Sequence, residues 1–192
     1  MSNINNPTSF YTEEELSDLG LKSYGKNVRI SRYARIYSPG NISIGDNVRI
    51  DDFCILSAGK SITIGNYVHI ACYTSIIGSG EVIISDYCGI SGRVSVYSST
   101  DDYSGEYMTN PMVPDIYTNV TSAPIIFEKH VIVGAGTIIL PGVTLHEGVA
   151  IGALSLVQHS CRANRIYSGN PIKPLCERST HYKDIEKQFE NK

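Results

Sequence analysis

Hydrophobic positions recur every six residues along most of this chain. They fall at Ile44, Ile50 and Leu56, at Ile64, Ile70 and Ile76, and at Ile84, Ile90 and Val96. After an interruption the series resumes at Val133, Ile139, Leu145, Ile151 and Val157, and weaker members stand at Ile30 and Ile36. A strand changes face every two residues and a helix turns every 3.6, so a period of six suits neither alone. It suits a triangular coil in which each hexad supplies a short strand and a corner, three hexads make one turn, and the aliphatic residues stack inside as ladders. A second inward position falls four residues after each aliphatic one, at Val48, Cys54, Val68, Thr74, Cys88, Val94, Thr137, Val143, Val149 and Ser155. The small residues directly after the aliphatic positions, Gly45, Gly65, Ala71, Ser85, Ser91, Gly134 and Gly152, are expected to form the tight corners. The pattern predicts an all-β fold, a parallel β-helix.

Where the period fails, other elements are predicted. Residues 1–25 form an N-terminal segment with a short helix over 11–19, started by a capping box of Thr12 and Glu15. The β-helix domain spans 26–175, and residues 176–192 hold a polar C-terminal helix centred on 179–190. Inside the β-helix, residues 98–124 form an extended loop too long for a casual connection. Its tyrosines at 103, 107 and 117 favour packing over disorder.

Composition then narrows the class. A chain of 192 residues fits one domain with small appendages. Its net charge of -3 and lack of a Lys/Arg block argue against nucleic acid or an anionic membrane as partner. No apolar run approaches a membrane span, and the start lacks a secretory signal, so a cytoplasmic location is expected. Five cysteines without a CxxC pair suggest small buried hydrophobes and neither disulfides nor a metal site.

The hexads IGDNVR, IGNYVH and VGAGTI-ILPGVT-LHEGVA-IGALSL resemble the hexapeptide-repeat, or isoleucine-patch, acyltransferases over roughly residues 26–175. That resemblance implies a left-handed coil. It also implies acetyl-CoA as co-substrate with no permanently bound cofactor, a sugar as acceptor, and a homotrimer whose loops complete active sites between subunits.

The family's sugar O-acetyltransferases carry a histidine at the start of the loop as general base. Here VSVYSSTDDYSG places Asp101, with Asp102 beside it, at that point. An aspartate of pKa about 3.9 is a poor base for a hydroxyl. An amine of pKa about 8 is partly neutral and attacks a thioester unaided, while a carboxylate orients it. The expected reaction is therefore N-acetylation of a nucleotide-linked amino-deoxysugar for surface polysaccharide, with O-acetylation of a galactoside or other saccharide as the alternative. His69, which aligns with an acceptor-site aromatic of the galactoside enzymes, is a second candidate base. Tyr73, Tyr103 and Tyr107 are candidate acceptor contacts. By the same resemblance, Gly134, Ala135, Gly136, Ala153, Ser155, His159, Asn170 and Lys173 are candidate coenzyme A contacts, the last two within a closing run YSGNPIKPL. Asn170 and His159 depart there from the family's small apolar residue and lysine.

Rival readings are weaker. A γ-type carbonic anhydrase needs three histidines around zinc, and of the histidines at 69, 130, 146, 159 and 181 only His69 is suitably placed. An ice-binding β-helix needs a regular threonine array, whereas the outward positions here are mixed and charged. The chain is also too short for the nucleotidyltransferases that carry a β-helix behind a large nucleotide-binding domain.

Overall fold

The computed structural model describes residues 9–191 and is a left-handed parallel β-helix flanked by two short helices. Its three faces are parallel sheets. The first runs through strands 23–24, 42–44, 61–64, 81–84, 125–127 and 144–145. The second runs through 29–30, 49–50, 69–70, 89–90, 132–133, 150–151 and 165–168, and the third through 35–37, 55–58, 75–78, 95–97, 138–139 and 156–157. Register explains the interior. Ile44 lies opposite Ile64, Ile50 opposite Ile70, and Leu56 opposite Ile76, so like side chains stack from coil to coil. Ile50, Leu56, Ile70, Ile76 and Ile84 are fully buried, and the second inward positions are buried too. Each such aliphatic side chain stabilises the fold by roughly 1.5–3 kcal/mol.

The ladder resumes after the loop earlier than the aliphatic pattern indicated. Phe127, paired with Ile84 and Leu145, is fully buried in the first-face position, where an aromatic fills the space an isoleucine fills in other coils. Likewise the coil begins at Ser23–Tyr24 and not at 26, because Tyr24 pairs with Ile44.

The corners differ from expectation in an instructive way. The residue in the left-handed region lies three positions after the aliphatic one, and it is mostly not glycine: Asn47, Phe53, Tyr67, Tyr73, Tyr87, Arg93, His130 and Leu154 have φ between 56° and 62°. The small residues directly after the aliphatic positions answer to packing between coils. A Cβ on Gly45 would lie 2.8 Å from the Gly65 carbonyl carbon, and one on Gly134 would lie 2.4 Å from the Ala153 nitrogen. Left-handed conformations at non-glycine residues cost roughly 1–2 kcal/mol each. Stacking offsets part of that. Tyr33, Phe53 and Tyr73 form one ladder at the corner between the second and third faces, and Tyr67, Tyr87 and His130 form another between the first and second.

The terminal elements pack on this frame. The first helix, Glu13–Asp18, has the capping box of Thr12 and Glu15, and Glu15 also bonds Arg32. The Arg32 hydrogen bond and those of the cap hold the Glu15 carboxyl down at about 2. The polar C-terminal helix spans Tyr182–Glu190 and lies across the Tyr67–Tyr87–His130 ladder. It starts later than the segment 176–192 suggested, since Lys173–Glu177 instead forms a strand antiparallel to Arg165–Ser168. No helix among the described residues is long and apolar enough to cross a membrane.

Candidate active site

The register places one predicted site residue, His69, in a line with residues that the sequence had not singled out. His69 lies opposite Arg49 and Gly89, Gly89 opposite Ile132, and Ile132 opposite Ala150. Since Ile70 and Ile90 point inward, these neighbours and Ser91 point outward from the second face. His69 Nε2 donates to Asp51 Oδ2 at 2.8 Å, and Arg49 Nε donates to Asp51 Oδ1 at 2.6 Å. Burial pushes the Asp51 carboxyl up, but the hydrogen bonds from His69 and Arg49 outweigh it and hold it below the usual range. Among the described residues, no group of three His, Cys, Asp or Glu side chains could hold a metal ion.

At the adjoining corner Tyr73 stacks on Phe53 with centroids 5.0 Å apart, and the Arg93 guanidinium carbon lies over the Tyr73 ring, 5.7 Å from its centroid. Below Arg93 the same corner position is Gly136 and then the exposed Leu154, whose side chain would meet a Cβ on Gly136 at 2.7 Å, so the aromatic ladder ends there. Gly134, Ala135 and Gly136 lie there with Ala153, held by Leu154 N–H to Ala135 O at 2.9 Å. Asn170 and Lys173 are exposed at its far end.

Two predicted coenzyme contacts do not face that edge. The Ser155 hydroxyl is buried, donating to Gly152 O at 2.7 Å and accepting from Gly169 N at 3.1 Å, so it braces the coil and presents nothing to a ligand. His159 follows the third-face strand 156–157 and so lies toward a different corner of the same chain.

The loop leaves the corner between the third and first faces, where coils already carry two extra residues: Ile44 and Ile64 are twenty apart, against eighteen for Phe127 and Leu145. Its stem is Ser99–Thr100 paired with Thr121–Ser122. Asp101 and Tyr103 line a cleft of about 500 Å³ with Tyr97, Ile138, Leu140 and Leu156 of the third face. Asp102 is a turn residue: its carboxylate accepts from Ser104 N, Ser104 Oγ and Gly105 N at 2.8–3.1 Å. The loop tyrosines pack less than expected, for Tyr103 is 93% exposed, and Tyr107 and Tyr117 are about half covered. Asp101 lies over the third face, whereas His69 lies on the second, beyond the corner that carries Tyr73 and Gly136.

Other residues were misjudged or missed from sequence. Cys54, Cys88 and Cys161 are buried, with burial pushing the thiols up to about 11, 12 and 11, but Cys72 and Cys176 are exposed because they fall on outward positions. His130, which the sequence did not mark as structural, is a keystone of one corner: it stacks on Tyr87 and bonds Glu186 at 2.8 Å. Asp51 belongs to the His69 site only through coil-to-coil register, which no local motif reveals.

Known proteins match this arrangement over nearly its whole length. The chain is 54% identical over 182 residues, 94% of it and 95% of the relative, to dTDP-4-amino-4,6-dideoxy-D-glucose acyltransferase of Escherichia coli. The chain belongs to that acyltransferase family. No family model matches it. AntD, an N-acyltransferase from Bacillus cereus solved with dTDP-4-amino-4,6-dideoxyglucose and coenzyme A, is 46% identical with a TM-score of 0.92, covering 95% of this chain and 97% of AntD. AntD has also been solved with dTDP and 3-hydroxybutyryl-CoA, at 47% identity over the same shares. A hexapeptide-repeat acetyltransferase from Vibrio cholerae, 16% identical with a TM-score of 0.58 over 86% of this chain and 79% of that one, shares the fold. The protein is thus a coenzyme A-dependent acyltransferase of the hexapeptide-repeat superfamily, and it acylates a nucleotide-linked amino sugar.

Proposed function

We propose that the acceptor is dTDP-4-amino-4,6-dideoxyglucose or a close dTDP-linked amino sugar, and that Asp101 receives its amino group. The observation that carries this reading is the carboxylate at the loop root where the O-acetyltransferase pattern has a histidine. A carboxylate attracts an ammonium group and orients the amine once it is neutral, but it cannot deprotonate a sugar hydroxyl efficiently. The amine attacks the thioester carbonyl, a C–N bond forms, the C–S bond breaks, and the amine's proton leaves through Asp101 toward the departing thiolate.

A second position supports Asp101. AntD has been crystallised with substitutions at one serine and at one aspartate ten residues later. In this chain Ser91 and Asp101 are the one serine–aspartate pair with that spacing. Ser91 lies on the His69 face and Asp101 at the loop root, so their joint action requires two chains. The exposed loop tip, with Met112 and Ile116, supplies apolar surface for such a contact. The assembly is therefore a homotrimer in which each loop crosses to a neighbour and brings Asp101 and Tyr103 to the partner's Ser91 edge. The coenzyme lies along the Gly134–Gly136 and Ala153 edge, with Lys173 near its phosphates. The location is the cytoplasm, and the product enters surface polysaccharide.

The deciding assay supplies acetyl-CoA or 3-hydroxybutyryl-CoA with dTDP-4-amino-4,6-dideoxyglucose and follows free thiol, with a galactoside as the hydroxyl control. Thiol release with the amino sugar alone is expected. Release with the galactoside alone would overturn the reading in favour of O-acylation.

A further inference from the structure

Gly89 is a glycine that the fold does not need. It sits inside a strand of the second face, its φ is not in the left-handed region, and a Cβ there would meet only Ile132 Cγ1, at 3.9 Å, among the described residues. The neighbouring glycines contrast with it: Cβ atoms on Gly45, Gly65, Gly134 and Gly152 would each come within 2.8 Å of another atom. Glycine inside a strand weakens it, and where packing does not demand the glycine it marks a close approach by a ligand. The rest of the column is larger, namely Arg49, His69, Ile132 and Ala150.

The two walls of the gap are also arranged to keep it open. His69 is bonded to Asp51 in the preceding coil, on the side away from Gly89. Ile132 is 45% exposed, an apolar side chain facing outward on a catalytic face. Ser91 follows two residues later in the chain, and Gly134 accompanies it one coil further, since Ser91 N–H donates to Val133 O.

Resting on the functional reading above, we propose that the notch at Gly89 is the acyl subsite: it receives the chain of a short acyl-CoA beyond its carbonyl, with Ile132 against the carbons and His69 within reach of a polar substituent. Gly89 then sets the acyl length the enzyme accepts.

Calorimetry with coenzyme A, acetyl-CoA and 3-hydroxybutyryl-CoA, without acceptor, tests this on the full-length protein. The unaltered protein is expected to bind 3-hydroxybutyryl-CoA about tenfold more tightly than coenzyme A, the increment of two or so buried carbons. Gly89→Val, β-branched and suited to a strand, is expected to abolish that preference while leaving coenzyme A affinity within about twofold. Gly89→Ala should remove part of it and serves if the valine variant melts early. Retention of the preference in both variants, or equal weakening of all three ligands, overturns the subsite. A variant that keeps the preference but raises the KM for the amino sugar also overturns it, assigning the notch to the acceptor. If the unaltered protein binds none of the three, the functional reading itself fails and takes the notch with it.

Discussion

Two corners of the same coil use the same backbone solution and end in opposite states. Between the first and second faces, the left-handed residues Tyr67, Tyr87 and His130 stack at 4.9–5.2 Å and are covered by Tyr182 and Phe189 of the C-terminal helix. Between the second and third faces the ladder Tyr33–Phe53–Tyr73 stops, passes to Arg93, and gives way to Gly136 and the exposed Leu154. The histidines follow suit. His130, with a side chain 10% exposed, is fixed between Tyr87 and Glu186, while His69, 50% exposed, keeps one flank toward solvent and the other on Asp51. Aromatic stacking and a docked helix make a corner structural, and their absence leaves room for a ligand.

The largest expected effect separates chemistry from stability at the open side. Asp101→Asn should lower kcat by roughly 100-fold or more, as loss of a group acting in proton transfer does, with an unchanged melting temperature. A matched loss of stability would mean that Asp101, like Asp102, only shapes the loop. Steady-state kinetics beside thermal melting reads both quantities.

Removal of the closed corner's cover should do the reverse. Phe189→Ala, which deletes an edge contact to Tyr67 and Tyr87, should destabilise by about 1–2 kcal/mol with little change in coenzyme A affinity. Denaturant unfolding together with calorimetry checks it. A change in affinity that exceeded the change in stability would mean the two corners communicate.

Alkaline titration gives a finer test. Burial and then the Glu190 hydrogen bond push the Tyr87 hydroxyl up to about 12, against about 10 in an unfolded chain. The folded state holds this proton longer than the unfolded one. Stability attributable to Tyr87 is therefore complete below about pH 10 and is lost as the pH rises toward about 12. Tyr87→Phe should flatten the fall in melting temperature over that window. An unaltered slope would place the alkaline lability elsewhere.

The smallest effect concerns the amino-terminal cap, which belongs to neither corner. Thr12→Ala should cost about 1 kcal/mol or less, and acid unfolding should keep most of the share contributed by Glu15, whose first support is Arg32. That carboxyl sits at about 2 when folded, so its contribution is present above its ordinary value near 4.5 and disappears as the pH falls from there to about 2. Glu15→Gln, followed by melting between pH 2 and 6, isolates it.

The fold was legible because its cause is local and repeated. A six-residue period with inward aliphatics and small second positions admits the coil and little else, and Thr12 with Glu15 specifies a helix start within four residues. The proposed coenzyme edge and the proposed role of the aspartate at the loop root both rest on motif resemblance. Tertiary structure decided which outward residues lie together, because neighbours on a face are sixteen to twenty residues apart in the chain, or 43 where the loop intervenes. It joined Asp51 to His69, turned the Ser155 hydroxyl inward, assigned Asp102 to a turn and His130 to a stack, and left Gly89 without a packing reason. Sequence set the inside of the coil, where period alone selects side chains. The outside depends on which coils lie side by side, and that is a property of the assembled stack.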